Sequence, residues 1–136
     1  LLHWNPGWLS SQQSLLPDVI LQGPDIAIVL DAKYKRHLDA LTLQEWARAP
    51  EQFRESHRQD LLQVLAYSSL LHAPVIKACL LYPCQRSTYD HLVQRRATGA
   101  VAQLRAGERS VDLVLAAVPL DQPATTLAER LARLLL

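Results

Sequence analysis

The chain has 136 residues, 49% of them hydrophobic and 20% charged, with only 4 Gly. That make-up fits one compact α/β domain with a real core and excludes a disordered or low-complexity chain. The formal net charge is +1, too small for a global pull toward nucleic acid, so any DNA contact must come from a local patch or a partner.

Residues 1–16 read as an irregular arm, with Trp4, Pro6, Gly7 and Trp8 followed by a polar Ser/Gln stretch. The two tryptophans are expected to pack on the domain. Leu1-Leu2-His3-Trp4 lacks the basic start of a secretory signal, and no apolar run approaches the ~18 residues needed to cross a bilayer, so a cytoplasmic protein without membrane partners is expected. The chain contains no Met, even at position 1, which points to a piece of a longer polypeptide.

From Pro17 to Lys35, two apolar runs flank Gln22-Gly23-Pro24-Asp25, the composition of a turn, and predict an antiparallel hairpin. Ile26 to Leu30 is apolar on both faces, as in a central strand covered above and below. Strand alternation puts Asp31 and Lys33 on one side. With Leu21 opposite Ile26, Asp18 falls opposite Val29 and diagonal to Asp31, within reach of a common ion. Arg36 to Ala49 reads as a short amphipathic helix or an ordered loop.

Ala49-Pro50 breaks the chain, and a helix is predicted from there to His72, with an apolar stripe of Phe53, Leu61, Leu62 and Leu65. Spacings of three and four stack Asp60, Gln63 and Tyr67 on one side of it. Asp60, near Arg54 and Arg58, is expected to be a solvated helix acid, and His57 polar surface. Pro74 ends the helix. Val75 to Tyr82 then reads as a third strand, placed parallel to the second by a right-handed crossover.

Cys79 and Cys84, the only cysteines, are expected as reduced thiols, with a disulfide between them as the alternative. A polar loop is predicted over Pro83 to Asp90, and strands over His91–Arg96, Ala100–Arg105 and Val111–Val118. Thr125 to Leu136 closes the chain as a helix that buries Leu127, Leu131, Leu134 and Leu135. The architecture expected is a mixed central sheet flanked by helices in one domain over 1–136: the arm, a core over 17–83, and hairpins plus a helix over 84–136.

An Asp-x-Lys at a strand end is by itself usually an ion pair. Pro17-Asp18 before a hairpin, Asp31-Ala32-Lys33 after an apolar strand and a helix bearing Gln63-x-x-x-Tyr67 form a much rarer combination. It resembles the PD-(D/E)xK signature of the restriction-endonuclease-like nucleases. Asp31-Ala-Lys-Tyr-Lys35, with Asp60-Leu-Leu-Gln63-Val-Leu-Ala-Tyr67 and Leu80-Leu81-Tyr82-Pro83, is similar to the nuclease subunit of McrBC-type, methylcytosine-dependent restriction systems.

The resemblance implies a restriction-endonuclease-like core and a metal-dependent deoxyribonuclease. Asp18, Asp31 and the backbone carbonyl of Ala32 would hold Mg²⁺, with Mn²⁺ as its substitute. Lys33 would orient or help deprotonate the attacking water and offset transition-state charge. Gln63 and Tyr67 resemble the Gln-x-x-x-Tyr motif of helicase-linked nucleases, which implies a hydrogen-bonding role beside the metal or DNA for Gln63 and a positioning role for Tyr67. Lys35 and Arg36 follow the catalytic Lys and are the candidates for gripping the DNA backbone.

Arg86, Arg95, Arg96, Arg105 and Arg109 are expected as a solvated face or a second basic edge. The histidines show no zinc spacing with the cysteines. The further acid or His that many relatives carry before the first strand has only His3 as a counterpart. The implied partners are double-stranded DNA and a nucleotide-hydrolysing AAA+ subunit that chooses and translocates the target. Two other readings remain open, a helicase-associated DNA repair nuclease and an inactive nuclease fold serving in DNA binding or assembly.

Overall fold

A computed structural model describes residues 16–34, 51–106 and 109–135. Most of the arm over 1–16, the helix or loop over 36–49, the DNA-gripping candidates Lys35 and Arg36, and the side chain of Phe53 lie outside the described residues. Five strands form one mixed sheet: β1 (Val19–Gln22), β2 (Ile26–Ala32), β3 (Val75–Cys84), β4 (Gly99–Ala106) and β5 (Arg109–Pro119), in the spatial order β1-β2-β3-β5-β4. β1 runs antiparallel to β2, β2 and β5 run parallel to β3 on its two sides, and β4 closes the far edge antiparallel to β5. Among the described residues the helices are α1 (Glu51–Ser69), α2 (Arg86–Gln94) and α3 (Ala124–Leu135). None is long and apolar enough to cross a membrane.

The strand residues alternate cleanly between two cores. Ala27 and Val29 of β2, with Ile76, Ala78, Leu80 and Tyr82 of β3, face α1 and pack on Val64, Tyr67 and Leu71. Ile28, Cys79 and Val114 face the other way, where Leu131, Leu134 and Leu135 of α3 cover them. β2 is thus buried on both sides, as its unbroken apolar run predicts. α3 comes close enough that a Cβ on Gly99 would sit 3.1 Å from the Leu134 methyls, so the absence of a side chain there permits the approach.

The register of the hairpin differs from the expected one. Leu21 lies opposite Ile28, not Ile26, because Gln22 joins the ladder opposite Ala27 while Ile26 pairs with Val75 on the other side. The shift is two residues, an even number, so every side chain keeps its face. One step beyond the Val19–Leu30 pair, Asp18 comes level with Asp31 and not with Val29.

A second correction concerns the segment after β3. The expected polar loop over Pro83–Asp90 and the strand over His91–Arg96 are replaced by two further residues of β3 and the helix α2. Tyr89 and Leu92, three apart, are its buried residues, a helical spacing that the polar composition masks. The helix ends with Arg96 in the left-handed region at φ 52, the Arg96 N–H bonded to the Val93 carbonyl and the Ala97 N–H to Leu92. That is a Schellman stop with arginine where glycine is usual. Arg130 of α3 donates to the Tyr89 hydroxyl at 2.8 Å and lies over its ring, tying α3 to α2.

Pro83 is tolerated inside a central strand for a local reason. Leu81 offers its carbonyl toward β2, where the Lys33 N–H takes it at 2.9 Å, and Pro83 faces the same way two residues later, past the end of the β2 ladder. The missing N–H therefore breaks no pairing. Cys79 and Cys84 are both buried, and neither is in a disulfide. They are five residues apart on β3 and face opposite sides of the sheet, about 16 Å apart along the strand, which rules out a disulfide between them.

Candidate active site

α1 runs back across the sheet toward the start of β3, and its early residues His57 and Asp60 meet Tyr82 and Lys33, so its first turns lie over the carboxyl ends of the parallel strands. In open α/β sheets that edge is where ligands are usually met. Each chemically interesting side chain arrives there for a reason visible in the chain. Asp31 continues the inward alternation of Ala27 and Val29 and is 5% exposed. Lys33, two residues on, takes the same side just as the strand ends. The parallel register of Asp31 with Leu80 continues to place Tyr82 level with Lys33. From α1, the stripe His57, Asp60, Gln63, Val64 and Tyr67 faces the sheet, and Leu71 just beyond the helix extends it.

The Lys33 ammonium is the hub. It contacts Asp31 Oδ2 as an ion pair, donates to Gln63 Oε1 at 2.6 Å and stands 3.9 Å from Asp60 Oδ1. Because Gln63 receives the ammonium on its oxygen, its amide nitrogen is left to donate, and it does so to the Tyr67 hydroxyl at 2.5 Å. Tyr67 is buried, so the chain Lys33–Gln63–Tyr67 is anchored in the core at its far end. Such a relay fixes the ammonium's position more tightly than a flexible lysine stem could by itself.

Asp18 reaches the same place from β1. It is exposed, and its Oδ2 accepts the Ala32 N–H at 2.7 Å, which fastens the end of β1 to the Asp31-Ala32-Lys33 segment. Among the described residues no group of three or more His, Cys, Asp or Glu side chains is arranged to hold a metal ion. Asp18 and Asp31 stand at the ends of neighbouring strands, with the Ala32 N–H on the first carboxylate and the Lys33 ammonium on the second. Carboxylate oxygens are the hard donors that Mg²⁺, which keeps several of its waters, asks of a protein.

Neither a protein-family model nor any curated protein matches the sequence. The site's chemistry must therefore be read from its own residues.

Two of those residues differ from their sequence expectation. Asp60, expected to be solvated, is 3% exposed and faces Lys33. His57, expected as polar surface, is half-buried, and its Nδ1 lies 2.8 Å from the Tyr82 hydroxyl. Tyr82 is buried, and its phenol is pushed well above the usual tyrosine range by burial first, then by the negative charge of Asp60 and Asp31. It is a neutral phenol at any physiological pH and sits against both acids. The helical signal was present in the spacing, since Asp60 lies three before Gln63 and His57 three before Asp60. What the sequence lacked was the inward rotation of α1, which also leaves Leu62 61% exposed in spite of its expected place in the apolar stripe.

Away from the centre, Arg86 forms a 2.9 Å ion pair with Asp90, and Arg95, Arg96, Arg105 and Arg109 are exposed.

Proposed function

We propose that this chain is a metal-dependent deoxyribonuclease domain with a restriction-endonuclease-like core, cutting DNA as the nuclease component of a restriction complex of the McrBC type. The observation that carries the proposal is the convergence of Asp31, Lys33 and Gln63 at the carboxyl end of β2, with Asp18 bonded to the backbone between them. A hairpin and a helix deliver these groups, and a phosphodiester hydrolase needs that combination: acids for a cation, and a fixed positive charge for the phosphate.

Asp18, Asp31 and the Ala32 carbonyl would hold Mg²⁺, which supplies charge neutralisation and a more acidic bound water. Lys33 presents its ammonium to the scissile phosphate and to the attacking water. Gln63 holds that ammonium in place, and Tyr67 holds Gln63. Lys35 and Arg36, next in the chain, carry charge for the flanking phosphates. Target choice belongs to a nucleotide-hydrolysing AAA+ partner. The Gln63–Tyr67 hydrogen bond also favours a second reading, a repair nuclease joined to a helicase, because that pair is the motif shared with such enzymes.

The test is cleavage of methylated and unmethylated duplex DNA with and without Mg²⁺ and an AAA+ partner. Mg²⁺-dependent nicking that vanishes in Asp31→Ala and Lys33→Ala is expected. Equal product from all three proteins would sink the assignment, and binding of DNA with no cutting under any condition would leave an assembly subunit in its place.

A further inference from the structure

We propose that Asp60 is a positioning residue, the counter-ion that takes over Lys33 when Asp31 turns to a divalent cation; the inference rests on the nuclease reading above. Lys33 stands between two buried carboxylates, touching Asp31 on β2 and 3.9 Å from Asp60 Oδ1 on α1. A carboxylate as enclosed as Asp60, at 3% exposure, is costly unless a cation compensates it, and Lys33 does so across that gap. The arrangement is lopsided, however: the ammonium leans on the acid that the cation would claim.

If Asp31 held a divalent cation, the Lys33 ammonium could not stay on the same carboxylate without like-charge repulsion. Lys33 then needs another anion close by, and Asp60 is placed for it. An ammonium–carboxylate hydrogen bond is about 2.8 Å long, so closing the gap takes a swing of about 1 Å. Gln63 Oε1, 2.6 Å from Nζ and on the same helix as Asp60, stays in contact throughout and acts as the pivot. The swing keeps Lys33 charged and aimed while freeing Asp31. Asp60 touches neither substrate nor cation and acts only through Lys33. Tyr82, level with Lys33 and bonded to His57, is a buried phenol near enough to Asp60 to feel its charge.

The experiment is a Mg²⁺ titration of the 136-residue chain followed by side-chain NMR of Lys33 Nζ and Asp60 Cγ, with calorimetry and plasmid cleavage on wild type, Asp60→Asn and Asp60→Glu. In the wild type both signals should move together, with the half-saturation that calorimetry gives. Asp60→Asn should bind Mg²⁺ within about threefold of wild type and lose about 10- to 100-fold in kcat, with the DNA KM unchanged and part of the rate restored in Asp60→Glu.

An Asp60 signal that stays still while that of Lys33 moves overturns the proposal. So does a tenfold loss of Mg²⁺ affinity in Asp60→Asn, which would make Asp60 a ligand, or wild-type kcat in that variant. If Asp60→Asn does not fold, the wild-type NMR decides alone. A wild type that binds Mg²⁺ with paired shifts but cuts nothing, with or without the AAA+ partner, refutes the nuclease reading and keeps the counter-ion; one that binds no Mg²⁺ refutes both.

Discussion

Two lysine–aspartate pairs occupy opposite faces of one sheet. On the α1 face Lys33 contacts Asp31 and is shared with Gln63 and Asp60. On the α3 face Lys77 lies 3.6 Å from Asp112, its neighbour across β3 and β5, and Gln103 of β4 donates to the same Asp112 at 3.2 Å. The second pair is an ordinary cross-strand contact, partly wet and joined side to side along one row of the sheet. The first brings two acids, a cation, an amide and a phenol from three elements into a nearly dry volume at the strand ends. Burying two acids around one cation is a poor way to stabilise a fold. The difference points to function on one face and packing on the other.

The largest expected effect is on cutting. Asp31→Ala and Lys33→Ala should each lower Mg²⁺-dependent cleavage by at least about 10³-fold, the scale of losing a key electrostatic group. Lys77→Ala should cut within about twofold of wild type, since its pair lies on the other side of the sheet. Comparable losses from the two lysines, read as kcat on plasmid DNA, would erase the distinction between the faces.

Stability should show the reverse of what a structural ion pair gives. Lys33→Met removes the ammonium that Asp31 contacts and Asp60 faces, and should cost about 3 kcal/mol in urea melts. Replacing Asp31, Lys33 and Asp60 together by Leu, Met and Leu should recover that loss or exceed wild-type stability, because the desolvation cost leaves with the charges. If the triple variant is as unstable as the single one, the cluster is structural and the comparison fails.

The cysteines sample the two faces separately. Cys79 is fully buried under α3, and burial pushes its thiol from the ordinary 9.0 up to about 12. The folded state therefore holds that proton more tightly than the unfolded one, so its contribution to stability is complete below pH 9.0 and is lost as pH rises toward about 12. Near pH 8, a thiol reagent should reach Cys79 only through opening of the α3 layer. Leu135→Ala, which removes a buried leucine at an expected cost of about 2 kcal/mol, should speed Cys79 labelling about 30-fold, with Cys84 much less affected. Equal acceleration at both cysteines would mean that the two faces open as one unit.

How much of this was legible beforehand follows from what each signal depends on. Unbroken or alternating apolar runs fixed β2, β3, β4 and β5, because burial on a sheet writes itself directly into spacing. Asp31 and Lys33 on a common side needed only the period of two. The register of Asp18 depended on whether Gln22 belonged to the turn or the ladder, and that was decided by Ile26 pairing with Val75 in β3, a partner 49 residues away. α2 was hidden because just Tyr89 and Leu92 of its nine residues are buried. Asp60 was misread for an instructive reason: a buried acid on a helix looks like a surface acid until its cation, 27 residues distant, is known to lie across from it.

The smallest effect expected is on the Lys77–Asp112 pair itself, and it sharpens the comparison most cleanly. Both side chains keep some contact with water and are 3.6 Å apart, so Lys77→Met should change stability by no more than about 0.5–1 kcal/mol, with salt shrinking the difference. The same substitution at Lys33 carries several times that cost, although both lysines face an aspartate from a strand of the same sheet. What separates them is the enclosure of Asp31 and Asp60, which leaves Lys33 as a cation that two buried acids share. Chemical denaturation of the two Met variants at low and high salt measures this directly: a salt-sensitive, sub-kcal loss at Lys77 beside a salt-insensitive, larger loss at Lys33. Matching losses with matching salt dependence would show that enclosure by α1 does nothing to distinguish the pair at the end of β2.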